Sequence, residues 1–170
     1  MDHLFFHNFF TVSGLNYVIF TLFFAGYLLT LRDRTAATRD LIFLFTIISS
    51  MALAYFLAYL IPRPIFAYHR WISVAVSLYG TSHVSLFLLN YPEPIWPRFR
   101  KIYFWSTFAI SSIVTLAFVY QSLSAPKVYE FDGHYYDVDL PVLGRIVGAV
   151  ILLYVLFFVI TGLIRIVKAK

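Results

Sequence analysis

Apolar residues fall along this chain in five long blocks rather than at the spacing of a half-buried strand or a one-sided helix. The blocks cover residues 11–31, 41–61, 71–91, 102–123 and 144–167. Each reaches the roughly 20 residues that a helix needs to cross the hydrocarbon of a bilayer. They are apolar on every face, as a helix surrounded by lipid must be. Proline punctuates the gaps. Pro62 and Pro64 close the second block, Pro92, Pro94 and Pro97 fill the third gap, and Pro126 and Pro141 bracket the fourth. A residue without a backbone N–H belongs at such ends. The fourth gap also holds a strand-like segment, residues 128–139, with Asp132-Gly133 at its centre. That dipeptide favours a two-residue hairpin turn. Pairing outward from it sets Phe131 against His134 and Tyr129 against Tyr136, and puts the four aromatic side chains on one face. The pattern predicts one all-α integral membrane domain over residues 1–170. It is a bundle of five transmembrane helices with a short external β-hairpin between helices four and five.

Composition agrees with lipid as the solvent. Of 170 residues, 61% are hydrophobic and 12% charged, the latter about half of the share usual in a soluble domain. A soluble chain this short cannot bury so much apolar surface. The net charge of +5 raises nucleic acid as a partner, but the charges sit in short clusters between the apolar blocks, as in the basic loops of membrane proteins. Arg32, Arg34, Arg39, Arg98, Arg100, Lys101, Arg165, Lys168 and Lys170 fall on one side of the alternating topology. Arg63, Arg70, Lys127 and Arg145 fall on the other, together with Asp2, Glu130, Asp132, Asp137 and Asp139. The richer side is expected in the cytoplasm. That places the N-terminus outside and the C-terminus inside. Trp71, Trp96 and Trp105 lie near block ends, where indoles rest at the headgroups. Residues 1–10 lack the basic start and small-residue cleavage site of a secretory signal, and predict an interfacial lead-in.

The chemistry on offer is sparse. Cysteine is absent, which removes disulfides, thiolate metal sites and cysteine nucleophiles. No zinc-protease helix motif, phosphate loop, nucleophile elbow or intramembrane carboxylate pair is present, so no catalytic residue, metal site or cofactor is expected. Ser73, Ser77, Thr81 and Ser85 recur every four residues on the third block, and Thr107, Ser111 and Thr115 offer a matching stripe on the fourth. Such stripes permit close helix packing; the sharper alternative is a polar cavity involving Ser77 and Thr81. His83 is the ionisable side chain deepest in a span. It is read either as a ligand-holding group or as a neutral imidazole bonded to a hydroxyl of a neighbouring helix. The aromatic hairpin face of Tyr129, Phe131, His134 and Tyr136 is read as a structural cap or as a ligand-sensing lid. Gly144 and Gly148 open the fifth block with the spacing of a close helix contact, inside the bundle in preference to between copies.

Two segments, Ala67-Tyr68-His69-Arg70-Trp71 and the stretch from Ala125-Pro126-Lys127-Val128-Tyr129 to Asp139, carry a resemblance. The chain resembles the N-terminal multi-span region of bacterial signalling proteins, where a helical bundle precedes a cyclase, phosphatase or histidine kinase module. The resemblance implies a sensory input role without catalysis, in the inner membrane of a bacterial cell. Because no effector module is present in these residues, it also implies a piece of a longer protein or an isolated membrane domain. The expected partners are the bilayer, a cytoplasmic effector domain or partner protein, and a second copy of the chain. Two other classes stand beside this one. The first is a structural subunit of a larger membrane complex, and the second is a small membrane enzyme or electron carrier.

Overall fold

A computed structural model describes residues 9–129, 134–137 and 140–168. It contains five helices long and apolar enough to cross a membrane. They are α1 (Phe9–Thr30), α2 (Ala36–Leu60), α3 (His69–Asn90), α4 (Pro97–Ser124) and α5 (Pro141–Lys168). A 3-10 helix, Pro64–Tyr68, leads into α3, and strands β1 (Lys127–Tyr129) and β2 (Tyr135–Asp137) join α4 to α5. The five-helix membrane bundle with its hairpin is therefore the architecture that the apolar blocks predict. The interfacial lead-in falls almost wholly outside the described residues.

Local chemistry moves two helix starts forward from the apolar blocks. The Thr35 hydroxyl accepts from the Thr38 N–H at 3.1 Å and opens α2 at Ala36, satisfying one of the orphan donors of the first turn. Pro97 occupies the first turn of α4, where its missing N–H removes no helical bond. Both helices thus begin with polar turns that an apolar count leaves out.

The central element is α3, which packs against α2, α4 and α5, whereas α4 and α5 touch each other far less. Apolar burial does not draw helices together in lipid, so small residues and interhelical hydrogen bonds must supply the contacts. The α1–α2 pair shows both. Thr11, Val18, Thr21 and Ala25 form the buried face of α1, the Ser49 hydroxyl donates to Thr21 Oγ1 at 2.6 Å, and Gly14 lies against Phe56. On the other side of α3, Leu78, Val114, Phe118, Leu143, Val147 and Tyr154 make an apolar core. Outward faces of α1, α4 and α5 expose Phe20, Phe23, Ile113, Leu116, Leu153 and Leu163, large apolar side chains suited to lipid and not to water.

Three expectations change. The hydroxyl stripe of α4 does not mate with that of α3: Ser111 and the Thr107 carbonyl both face the Tyr154 hydroxyl of α5 at 3.3 Å. The α3–α4 bonds run instead from Trp71 Nε1 to Ser122 and between Tyr79 and Ser112, each 2.7 Å. Gly144 and Gly148 meet nothing within 4 Å of where a Cβ would stand, so they make no close contact inside the bundle.

The hairpin register also differs by one residue. Tyr129 pairs with Tyr135, Val128 with Tyr136 and Lys127 with Asp137. The expected Asp132-Gly133 turn and the Phe131–His134 pair lie outside the described residues. The physical reason for the shift is the Asp137 carboxylate, which is buried at 1% exposure. Directly opposite residues share a face, and only the observed register brings Lys127 to it, at 2.7 Å. A one-residue slip would send the two charges to opposite faces.

Candidate ligand site at the hairpin end

The chain reverses at Pro62 and re-enters through the 3-10 helix, closed by the bond from the Phe66 N–H to the Arg63 carbonyl at 2.9 Å. That short turn sets His69 and Arg70 at the head of α3. The His69 Nδ1–H donates to the Phe66 carbonyl at 2.7 Å. A carbonyl only accepts, so the neutral ring carries its other lone pair on Nε2.

Strand β2 brings the second half. It packs on the 3-10 helix rather than extending as a free arm. His134, just before β2, lies 5.1 Å from the His69 ring and 4.8 Å from the Tyr59 ring, centroid to centroid. Tyr55 meets the His69 ring edge-on at 4.5 Å. Four rings from α2, α3 and the hairpin thus form an aromatic box. Beside it, Asp137 anchors a chain of polar contacts. Trp71 Nε1 donates to Ser122, Ser122 donates to Asp137 Oδ2 at 2.7 Å, and Lys127 pairs with Oδ1. Lys127 also donates to the Ala125 carbonyl at 3.0 Å and stands 4.9 Å from the Tyr68 ring centroid. Arg70 Nη1 donates to the Asp137 backbone carbonyl at 2.8 Å, with its guanidinium 5.5 Å from the Phe118 ring centroid. Beside these groups lies an open cavity of about 430 Å³, lined by Tyr55, His69, Arg70, His134, Tyr136 and Asp137, with Leu140 and Pro141, where α5 begins, along one wall.

The residues singled out from sequence separate into three places. His134 and Tyr136 line this cavity. Tyr129 does not: it rests edge-on against Tyr135 at 5.2 Å and is 47% exposed. Phe131 lies outside the described residues. Ser77, Thr81 and His83 belong to a lower part of α3. The Thr81 hydroxyl donates to the Ser77 carbonyl at 2.6 Å. His83 Nδ1–H donates to the Tyr79 carbonyl at 2.9 Å, and its ring stacks on Phe43 at 4.1 Å and meets Phe104 edge-on at 6.0 Å. Its hydrogen bond is therefore to its own helix and not to a hydroxyl of a neighbour. At 1.5 Å per residue, the fourteen residues from His69 to His83 span about 21 Å, too far for one small ligand.

Sequence reasoning passed over Tyr55, His69, Arg70 and Asp137 as site residues. The pentad that holds His69 and Arg70 was visible as a motif, but nothing in its spacing points to His134. A second polar cluster also emerges, at the opposite end of the bundle: Asn90 of α3 joins Asp40 of α2 to Arg100 of α4. It borders a smaller cavity of about 210 Å³. Among the described residues no group of three or more metal-ligating side chains occurs. Compared with family models, curated proteins and solved structures, the chain matches none. Fold and site define a multi-pass helical membrane protein with a polar cavity at one end.

Proposed function

We propose that the chain is the membrane-embedded sensory or input module of a bacterial signalling protein, catalysing no reaction of its own. In this reading the hairpin end faces outward from the inner membrane, and the far end, with the C-terminus, faces the cytoplasm. The basic-residue distribution supports that orientation. The observation that carries the reading is the position of the cavity. The hairpin that walls it connects α4 to α5, and α5 begins on the cavity wall at Pro141. At the other end Arg165 of α5 donates to the carbonyls of Leu88 and Leu89 at 2.8 and 3.0 Å, and to that of Glu93. An occupant that favours one arrangement of the hairpin would bias the helix that leaves on the opposite side.

The test joins residues 1–170 at Lys170 to a reporter cyclase and compares the parent with Tyr136→Ala, which alters the cavity wall. Output is expected to change at least about twofold, while the bundle inserts and purifies as before. Unchanged output, together with copurification of a fixed partner in constant ratio from native membranes, would replace the sensor by a structural subunit of a larger complex.

A further inference from the structure

Arg70 is the least satisfied cation of the site. A guanidinium carries five N–H donors in a planar fork. Here one bond goes to a backbone carbonyl, and the face of the charge lies toward the Phe118 ring. The nearby carboxylate does not neutralise it: Asp137 Oδ1 is paired with Lys127, and Oδ2 accepts from Ser122. Among the described residues no carboxylate pairs with Arg70. A half-buried guanidinium at the wall of a cavity, with the neighbouring Asp137 already committed, is an anion-binding group awaiting its anion. The remainder of the wall narrows the class. Tyr55, His69 and His134 line the cavity with rings packed edge to face on one another, and Tyr136 stands beside them. The cavity of about 430 Å³ falls within the size range of small-molecule sites. The neutral His69 ring, with Nδ1–H spent on Phe66, offers Nε2 as an acceptor.

We infer that the cavity binds a small organic acid, its carboxylate on the Arg70 fork and its flat body against the ring-lined wall; the assignment rests on the sensory reading of the same site. Lys127 has a positioning role. By holding Asp137, it keeps the fork of Arg70 open for an external carboxylate.

Trp71 supplies the readout, because its indole N–H is tied through Ser122 to Asp137. The purified full chain in nanodiscs is titrated with benzoate, and with inorganic phosphate as an anion without a ring, while tryptophan fluorescence is followed. Benzoate is expected to give a saturable change at millimolar concentration, and phosphate a much weaker one. Arg70→Met should weaken benzoate binding about ten- to hundredfold, the loss of a charge-assisted pair, and Arg70→Lys should recover part of it. Tyr55→Leu, which keeps the charge and removes a ring, should weaken benzoate but not phosphate. Thermal melts of each variant separate lost binding from lost folding, and a variant that melts early is replaced by its conservative partner. No saturable response to benzoate in the folded parent overturns the assignment, as does a response that folded Arg70→Met leaves unchanged. Benzoate binding without any change in reporter output would keep the ligand class and remove the sensor. Output sensitive to Tyr136→Ala without benzoate binding would keep the sensor and overturn the ligand class.

Discussion

At the scale of single residues, the hairpin end depends on one buried charge. The Asp137 side chain is fully enclosed, and its partner Lys127 is 12% exposed. Removing one member of such a pair typically costs about 3–5 kcal/mol, of which the neighbouring Arg70 should recover a part by turning to the freed carboxylate. Lys127→Met should therefore lower stability strongly, and the double variant Lys127→Met/Asp137→Leu should recover much of the loss. Denaturant unfolding in a fixed detergent, read by tryptophan fluorescence, measures both. Equal stability of the parent and Lys127→Met would show that solvent reaches the carboxylate. This pair was not legible in the sequence. Residues 127 and 137 are close neighbours there, but their pairing depends on a register that the Asp132-Gly133 signal sets one residue away. His69 and His134 were hidden for another reason: their meeting requires the 3-10 turn before α3 and the docking of β2 on it. His83 stood out because an imidazole in an apolar block is conspicuous, yet its environment is two aromatic rings and a carbonyl of its own helix.

At the scale of elements, existence and order of the helices follow from the apolar blocks, because five all-apolar runs admit few other solutions in lipid. Their faces do not follow. In a helix that is apolar all round, periodicity cannot say which side meets protein, so the Gly144 and Gly148 spacing looked like a contact that the bundle does not use. The glycine that lies tightest against another helix among the described residues, Gly14, has no such spacing; an added Cβ there would stand 3.4 Å from Phe56 Cβ. The expected outcomes are opposite. Gly144→Ala with Gly148→Ala should leave the unfolding midpoint unchanged or raise it, since alanine is favoured over glycine in a helix by about 1 kcal/mol. Gly14→Leu must push α1 from α2 and should cost about 1–3 kcal/mol, as overpacking does. A lower midpoint for the alanine pair would reveal a neighbour on that face, such as a second copy of the chain.

At the scale of the whole molecule, orientation and coupling are the testable properties. The chain contains no cysteine, so introduced thiols report without background. Tyr129→Cys should react with an impermeant maleimide in intact cells, and Arg32→Cys and Arg98→Cys only after permeabilisation. The reverse pattern would invert the bundle and place the cavity in the cytoplasm.

In the proposed coupling α3 ties the two ends together, with the cavity at its head and the Arg165 latch on α5 at its foot. The last carbonyls of a helix have no partner within it and concentrate negative partial charge. Arg165 answers that deficit at Leu88, shares the Leu89 carbonyl with the Ile95 N–H, and reaches on to Glu93. A cation held by several carbonyls fixes position more firmly than one bond would, so the foot of α5 should move with the foot of α3. Arg165→Met removes these bonds and keeps much of the apolar stem. Spin labels at Tyr91→Cys and Ile166→Cys, both exposed positions, measure the separation of the two feet in nanodiscs. A narrow distance distribution is expected for the parent and a broader one for Arg165→Met, with the melting of the hairpin end little changed. If the distribution stays equally narrow without Arg165, the latch is not what joins α5 to α3. A signal from the cavity would then have to travel through the core around Phe118 and Val147 instead.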